Sequence, residues 1–346
     1  MTSMKTGPEL RVLLAGVLGF VILTPSAAFQ TAERPPDTQV FTLPAPAASG
    51  ALSDNHAIWK SASYGPVASP AAAHNGLMWK ATSATNTVYL LGSIHLASPD
   101  MYPLPPQIEA AFRNSAVLIV EADLNKVNLL KMQALIAATG FYPPGDSLWN
   151  HVNPHTKKLI EGFCADNNLA PEVFARMKPW MVMITVSARS ALKSGMQADL
   201  GIDKHFLDRA NGMRVEQLES AEWQLQLLAN IPDSEQERYL AANIQSSGTE
   251  GRLAEMKSAW LRGDAGRLDT LISAELRDAA DVGKKLFADR NPHMTEVVEH
   301  HLKSNEPAFV IVGAGHLVGK DGVIRQLQRE GFKVEQVFSS AVGAVE

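Results

Sequence analysis

The chain has one cysteine in 346 residues, Cys164. A single thiol excludes an intramolecular disulfide and a cysteine-built zinc site. No run of lysine and arginine occurs, and the formal net charge is −5. That balance argues against a nucleic-acid partner, which asks for a basic stripe. No glycine-rich phosphate loop or dinucleotide fingerprint is present. The serines lack the Gly-x-Ser-x-Gly elbow of serine hydrolases. The N-terminal apolar stretch covers only residues 12–23, short of the roughly 20 residues that a spanning helix needs.

Hydrophobic residues make up 46% and charged residues 19%, an ordinary globular balance with a sizeable core. Lys5 and Arg11 precede the apolar stretch. Ser26 and Ala28 follow it, at the −3 and −1 positions of a cleavage site. This layout predicts a secretory signal peptide over residues 1–28 and a secreted or periplasmic protein. Left uncleaved, the same segment would anchor the chain to a membrane. Residues 29–75 are rich in Ala, Pro and Ser and have little apolar periodicity, which reads as a flexible linker. The domain is expected over residues 76–346, mostly helical between about 125 and 305.

LMWKATS and TVYLLGS are strand-like runs around a polar turn at Ala84 and Thr85, a hairpin pattern. PLPPQIEAAFRNS reads as a helix with Pro at its start. SAVLIVEADL is apolar throughout, the pattern of a strand buried on both faces. Helical patterns follow in NLLKMQALIAATG, LIEGFCADN, KPWMVMITVSARSALKSG and DLGIDKHFLDRANG. MRVEQLE is strand-like, and Ser220 caps the helix after it, with Glu222 in the first turn. PAFVIVGAGH, DGVIRQLQREG and FKVEQVF read as strand, helix and strand. The fold class is therefore α/β or α+β. A central mixed sheet is built from N- and C-terminal strands, and a large helical insertion lies between them.

The chemistry concentrates at strand ends. TVYLLGSIHL and FVIVGAGHL carry the same cassette, an apolar run followed by Gly-x-x-His-Leu. Four runs end in an ionisable residue: His95, Glu121, Glu219 and His316. If the strands are parallel, these groups converge at one sheet edge, where open α/β sheets bind ligands. Two histidines and two carboxylates suit a divalent metal or a metal-free acid–base pair. Gly92 and Gly313 let the chain leave each strand sharply, and Gly315 lets backbone approach a ligand. Each group also has a plainer role: a histidine past a strand is commonly a surface residue, and Glu219 suits the dipole of the helix behind it. Asp203 and His205 of GIDKHF can reach the site from a helix, and Arg290 can orient a carboxylate. The adjacent His300 and His301 read as surface residues. Cys164 reads as a small buried hydrophobe.

The motifs LLGSIHL, VEAD, KPW, GIDKHF, LESAEWQ, AWLRGD, DRN and VGAGHLVGKDGV together resemble the TraB/GumN family, related to the Tiki proteins. The resemblance spans roughly residues 77–338. It implies a fold like the erythromycin esterase and haem-uptake ChaN group. Tiki proteins are described as membrane-tethered metal-dependent proteases using two Gly-x-x-His motifs. The TraB branch is linked to pheromone shutdown, and the GumN name comes from a polysaccharide gene cluster. By motif match, His95, Glu121 and His316 would be the central site residues. Glu219, Asp203 and Arg290 also fall in family motifs. Ser93 stands where the family commonly has Thr. The expectation is a metal-dependent, peptidase-like hydrolase in which His95, His316 and Glu121 hold manganese, cobalt or zinc. Glu121 or Glu219 would serve as general base. Two alternatives stay open: a protein that captures a small ligand, peptide or haem without turnover, and a metal-free esterase-like hydrolase with His95 as general base.

Overall fold

The computed structural model describes residues 74–247 and 250–339. The expected signal segment, and the expected linker save its last two residues, lie outside the described residues. Strand β1 (Met78–Thr82) and β2 (Thr87–Ser93) form the antiparallel hairpin read from the sequence, with Thr82 opposite Thr87. After helix α1 (Pro106–Arg113), strand β3 (Val117–Val120) is buried at all four positions. A continuous apolar run is what a strand covered on both faces requires.

The helical region follows: α2 (Leu129–Thr139), α3 (Pro154–Asp166), α4 (Pro179–Lys193) and the short α5 (Ile202–Leu207). Strand β4 (Arg214–Gln217) interrupts it. Then come α6 (Ala221–Ala229), α7 (Asp233–Ser247), α8 (Glu250–Arg262), α9 (Ala265–Glu275) and α10 (Ala280–Gly283). A π-helical turn over Lys284–Ala288 leads into α11 (Asn291–Leu302). The chain closes with β5 (Ala308–Gly313), the single turn α12 (Ala314–Leu317), α13 (Val323–Arg329) and β6 (Lys333–Val337). Ser220 caps α6 as expected, its side chain accepting the Trp223 N–H.

The sheet order is β4-β3-β5-β2-β1-β6. Neighbours β4, β3, β5 and β2 are mutually parallel, while β1 is antiparallel to both β2 and β6. This mixed sheet with helical layers is an α/β fold. One apolar core surrounds the sheet, and a second surrounds α4, whose residues from Pro179 to Ala188 are all buried. Cys164 is buried in α3, as its apolar neighbours suggest.

Two expectations change. DLGIDKHFLDRANG does not form one helix: a 3-10 turn at Ala198–Leu200 is broken from α5 by Gly201. A Cβ on Gly201 would sit 2.3 Å from the His95 carbonyl oxygen, so that glycine permits a close crossing of two chain segments. His301 is not a surface residue. It is 3% exposed and reaches Glu216 at 3.1 Å, whereas its neighbour His300 faces solvent. Adjacent helical residues point about 100° apart, so one of the pair turns inward.

Candidate functional site

The two cassettes lie on adjacent strands. In the parallel ladder Gly92 sits opposite Val312 and Ser93 opposite Gly313. Both chains then leave the sheet at the same end, and β3 brings Glu121 there too. The ladder continues past the strands: the Glu121 N–H donates to Ile311 and the Glu219 N–H to Glu121. Glu121 is 5% exposed and His316 2%.

The segment after β2 stays extended and pairs with the chain before α5, through reciprocal bonds of Ala97 and Gln197. The Ile202 N–H donates to the Ile94 carbonyl at 3.1 Å. This crossing, allowed by Gly201, carries Asp203 to His95, whose Nδ1 lies 2.8 Å from Asp203 Oδ2. That carboxylate oxygen has no well-aligned hydrogen bond, so the contact is an ion pair at close range. Burial pulls the His95 pKa down. The charge and contact of Asp203, helped by Glu121, outweigh it and hold His95 up at about 9.

His316 stands on the turn α12, with its Nδ1 2.7 Å from Asn291 Oδ1. The Asn291 amide nitrogen donates to the Asp321 carbonyl at 2.8 Å. That bond turns the amide oxygen toward the imidazole, so Nδ1 carries a proton, while Nε2 lies 3.6 Å from Glu121 Oε1. The Phe287 ring stands edge-on to His316 at 5.1 Å.

Glu121 is held from both oxygens. Oε2 accepts the Gly313 N–H at 2.8 Å, and Oε1 accepts from Arg290 at 2.7 Å and Gln224 at 2.9 Å. Burial pushes the carboxyl pKa up. The charge and contact of His316, with Arg290 and His95, prevail and hold it well below the ordinary carboxylate range. Arg290 also donates from Nε to Glu219 at 2.9 Å and rests over the Trp223 ring. Gln224 bridges the two carboxylates.

Gly313 lies at the centre of this arrangement. A Cβ there would stand 3.3 Å from Glu121 Oε2, 3.6 Å from His95 Nε2 and 3.7 Å from His316 Cδ2. The missing side chain leaves open the space that the three groups share. Gly92 acts differently: a Cβ would meet Leu77 at 2.7 Å and the Ala314 backbone at 3.2 Å, so it serves packing of β2 against α12. At Gly315 a Cβ would meet the Phe287 ring at 2.5 Å, again a packing role.

The structure thus gathers His95, Glu121, His316, Glu219, Asp203, Arg290 and Gly313. It does not bring in His205, which turns to Glu109 at 3.0 Å beside Arg209. Gln224, Asn291 and Ser93 join the site, although the sequence patterns did not single out any of them for a role. The first two fall inside the motifs LESAEWQ and DRN, which were the available signal. Among the described residues, no three His, Cys, Asp or Glu side chains form a ready metal-binding cluster. No described helix is long and apolar enough to cross a membrane.

The family model for TraB/PrgY/gumN matches residues 77–336. The chain belongs to this family. Among its relatives is the Uncharacterized protein YbaP of Escherichia coli (strain K12), 28% identical over 248 residues, or 69% of this chain and 87% of YbaP. YbaP of Shigella flexneri matches with the same identity and coverage. No solved structure matches the chain. All the site residues above fall within the TraB/PrgY/gumN match.

Proposed function

We propose that this TraB/PrgY/gumN domain is a metal-dependent hydrolase of amide or ester bonds. One observation carries the reading: each histidine has Nδ1 tied to an acceptor, His95 to Asp203 and His316 to Asn291, beside one buried carboxylate. Imidazoles anchored through Nδ1 are oriented as metal ligands through Nε2. The donor chemistry fits manganese, cobalt or zinc, and Gly313 keeps the shared space open. His95, His316 and Glu121 would hold the ion. When bound, it would polarise the scissile carbonyl and acidify a water.

The chain's own residues supply the rest. Asp203 fixes the ring of His95 through Nδ1, which leaves Nε2 facing the shared space. Arg290 holds Glu121 and Glu219 in place by donating to both carboxylates. The Gly313 N–H and Gln224 fix the rotation of the Glu121 carboxylate.

A second reading is favoured by a specific observation. Both Glu121 oxygens already accept hydrogen bonds, from Gly313, Arg290 and Gln224. A metal-free hydrolase would leave that network untouched and use His95 with Asp203 as its acid–base pair. The test is elemental analysis and calorimetric titration with manganese, cobalt and zinc, alongside peptide and ester cleavage. One bound ion per chain, lost in the His95→Ala/His316→Ala variant and required for turnover, is expected. Turnover that survives exhaustive chelation selects the metal-free reading. Ligand retained and released unchanged, with no turnover under any condition, sinks both.

A further inference from the structure

The space in front of the imidazoles is a cleft of about 260 Å³ between the strand ends and helices α4, α6, α7, α8 and α9. Away from the ionisable groups its wall is aliphatic, with Met183, Met196, Leu228, Met256, Ile272 and Leu286. Helical walls spend their backbone N–H and C=O groups on their own i→i−4 bonds. Peptide capture by strand addition needs an unpaired strand edge, and this cleft is bounded by helices and strand ends instead. Other polar side chains along the cleft are engaged: Ser187 with Asn243 at 3.1 Å, Arg252 with Glu275 at 3.1 Å and Lys257 with Asp100 at 2.8 Å.

One hydroxyl differs. Ser93 ends β2, is 3% exposed, lines the cleft and has no hydrogen-bond partner among the described residues. A buried unpaired hydroxyl is costly, and a carbonyl oxygen of a bound molecule would satisfy it.

We propose that the cleft is an acyl-chain site, in which an unbranched apolar chain lies along the methionine-rich helical wall and its carbonyl meets Ser93 beside the paired imidazoles. An apolar cavity of about 150 Å³ takes up a six-carbon ring, so this cleft holds a chain of roughly ten carbons. Methionine side chains are unbranched and adapt to flexible ligands. Turnover rests on the hydrolase reading above: one water adds across the acyl C–O or C–N bond, releasing the carboxylic acid and the alcohol or amine. Binding of the chain does not depend on it.

The experiment titrates the full chain with 2-butanone, 2-hexanone, 2-octanone and 2-decanone, which carry the carbonyl and the chain but cannot be hydrolysed. Affinity should climb about fourfold per methylene through 2-decanone. Ile272→Trp, at the partly exposed cleft wall, should lower 2-decanone affinity at least tenfold and spare 2-butanone, with an unchanged melting temperature. Met183→Ala should extend the climb to longer ketones, which covers the case in which the tryptophan variant misfolds. Ser93→Ala should weaken all four ketones by one common factor, about five- to tenfold. Nitrophenyl esters of the same chain lengths are assayed in parallel. Chain-dependent binding without cleavage of these esters or of peptides supports the acyl site and removes the hydrolase reading. Cleavage of short esters or peptides with chain-independent ketone binding overturns the acyl site and leaves the hydrolase. Chain-independent binding without cleavage overturns both.

Discussion

The two Gly-x-x-His cassettes share one sequence pattern and reach one site by different physics. His95 follows Gly92 in an extended segment, is partly open to the cleft and pairs with a charged partner, Asp203. His316 follows Gly313 on a helical turn, is buried and pairs with a neutral one, Asn291. The glycines exchange roles as well. Gly92 is pressed against Leu77 and Ala314, whereas Gly313 borders the space between Glu121 and His95. A repeated motif therefore marks convergence at one place and a division of labour within it. The charged pair suits proton transfer, and the neutral, buried partner suits a fixed ring orientation.

Both cassettes depend on Glu121, so the largest effect should come from removing its counter-charge. Arg290→Met leaves Glu121 and Glu219 buried side by side without the guanidinium that bridges them. Breaking a buried pair this way costs about 3–5 kcal/mol. Urea unfolding should show that loss at an unchanged slope. A loss under 1 kcal/mol would mean that solvent or the histidines already balance the carboxylates, and the shared anchor would disappear from the comparison.

Next in size are the histidines. His95→Ala and His316→Ala should each lower kcat/KM by about 10²–10⁴-fold. Their stabilities should separate: the buried His316 leaves a cavity and an orphaned Asn291 oxygen, while the space left by His95 opens on the cleft. Full activity in either variant would break the pairing of the cassettes.

The glycines give the sharpest contrast with a smaller energy. Gly92→Ala forces a methyl into Leu77 and Ala314 and should destabilise by about 1–3 kcal/mol. Gly313→Ala should leave the melting temperature within a few degrees and lower turnover, because its methyl enters the space shared by Glu121 and His95. The opposite pattern would reverse the assignment of the packing and site glycines.

Much of this was legible in the sequence because it follows local rules. The unbroken apolar run of β3 announces a central strand, and the two cassettes announce ionisable groups at strand ends. What the sequence could not reveal is contact between distant segments. Asp203 and His205 are both polar and two residues apart on α5, so they cannot face the same way. The crossing at Gly201, a long-range contact, chooses Asp203. Gln224 and Asn291 are neutral amides with no charge or periodicity to advertise them. Each becomes a site residue only when β3 and α12 bring a carboxylate and an imidazole to it.

The smallest effect tests the charged half of the comparison by pH. The His95 pKa is raised from 6.5 to about 9, so the folded state binds its proton more tightly than the unfolded state does. The resulting stability is complete below about pH 6.5 and fades as pH rises through 9. The shift sets a ceiling of about 3 kcal/mol. With His95 14% exposed and its contact with Asp203 off the hydrogen-bond line, about 1 kcal/mol is expected in practice. Asp203→Asn should remove that increment at pH 6 and leave stability at pH 10 nearly unchanged. It should also move the His95 titration, followed by NMR in metal-free protein, back toward 6.5. An equal loss at both pH values would show that Asp203 holds the fold through packing. The two cassettes would then differ in shape and burial and no longer in charge.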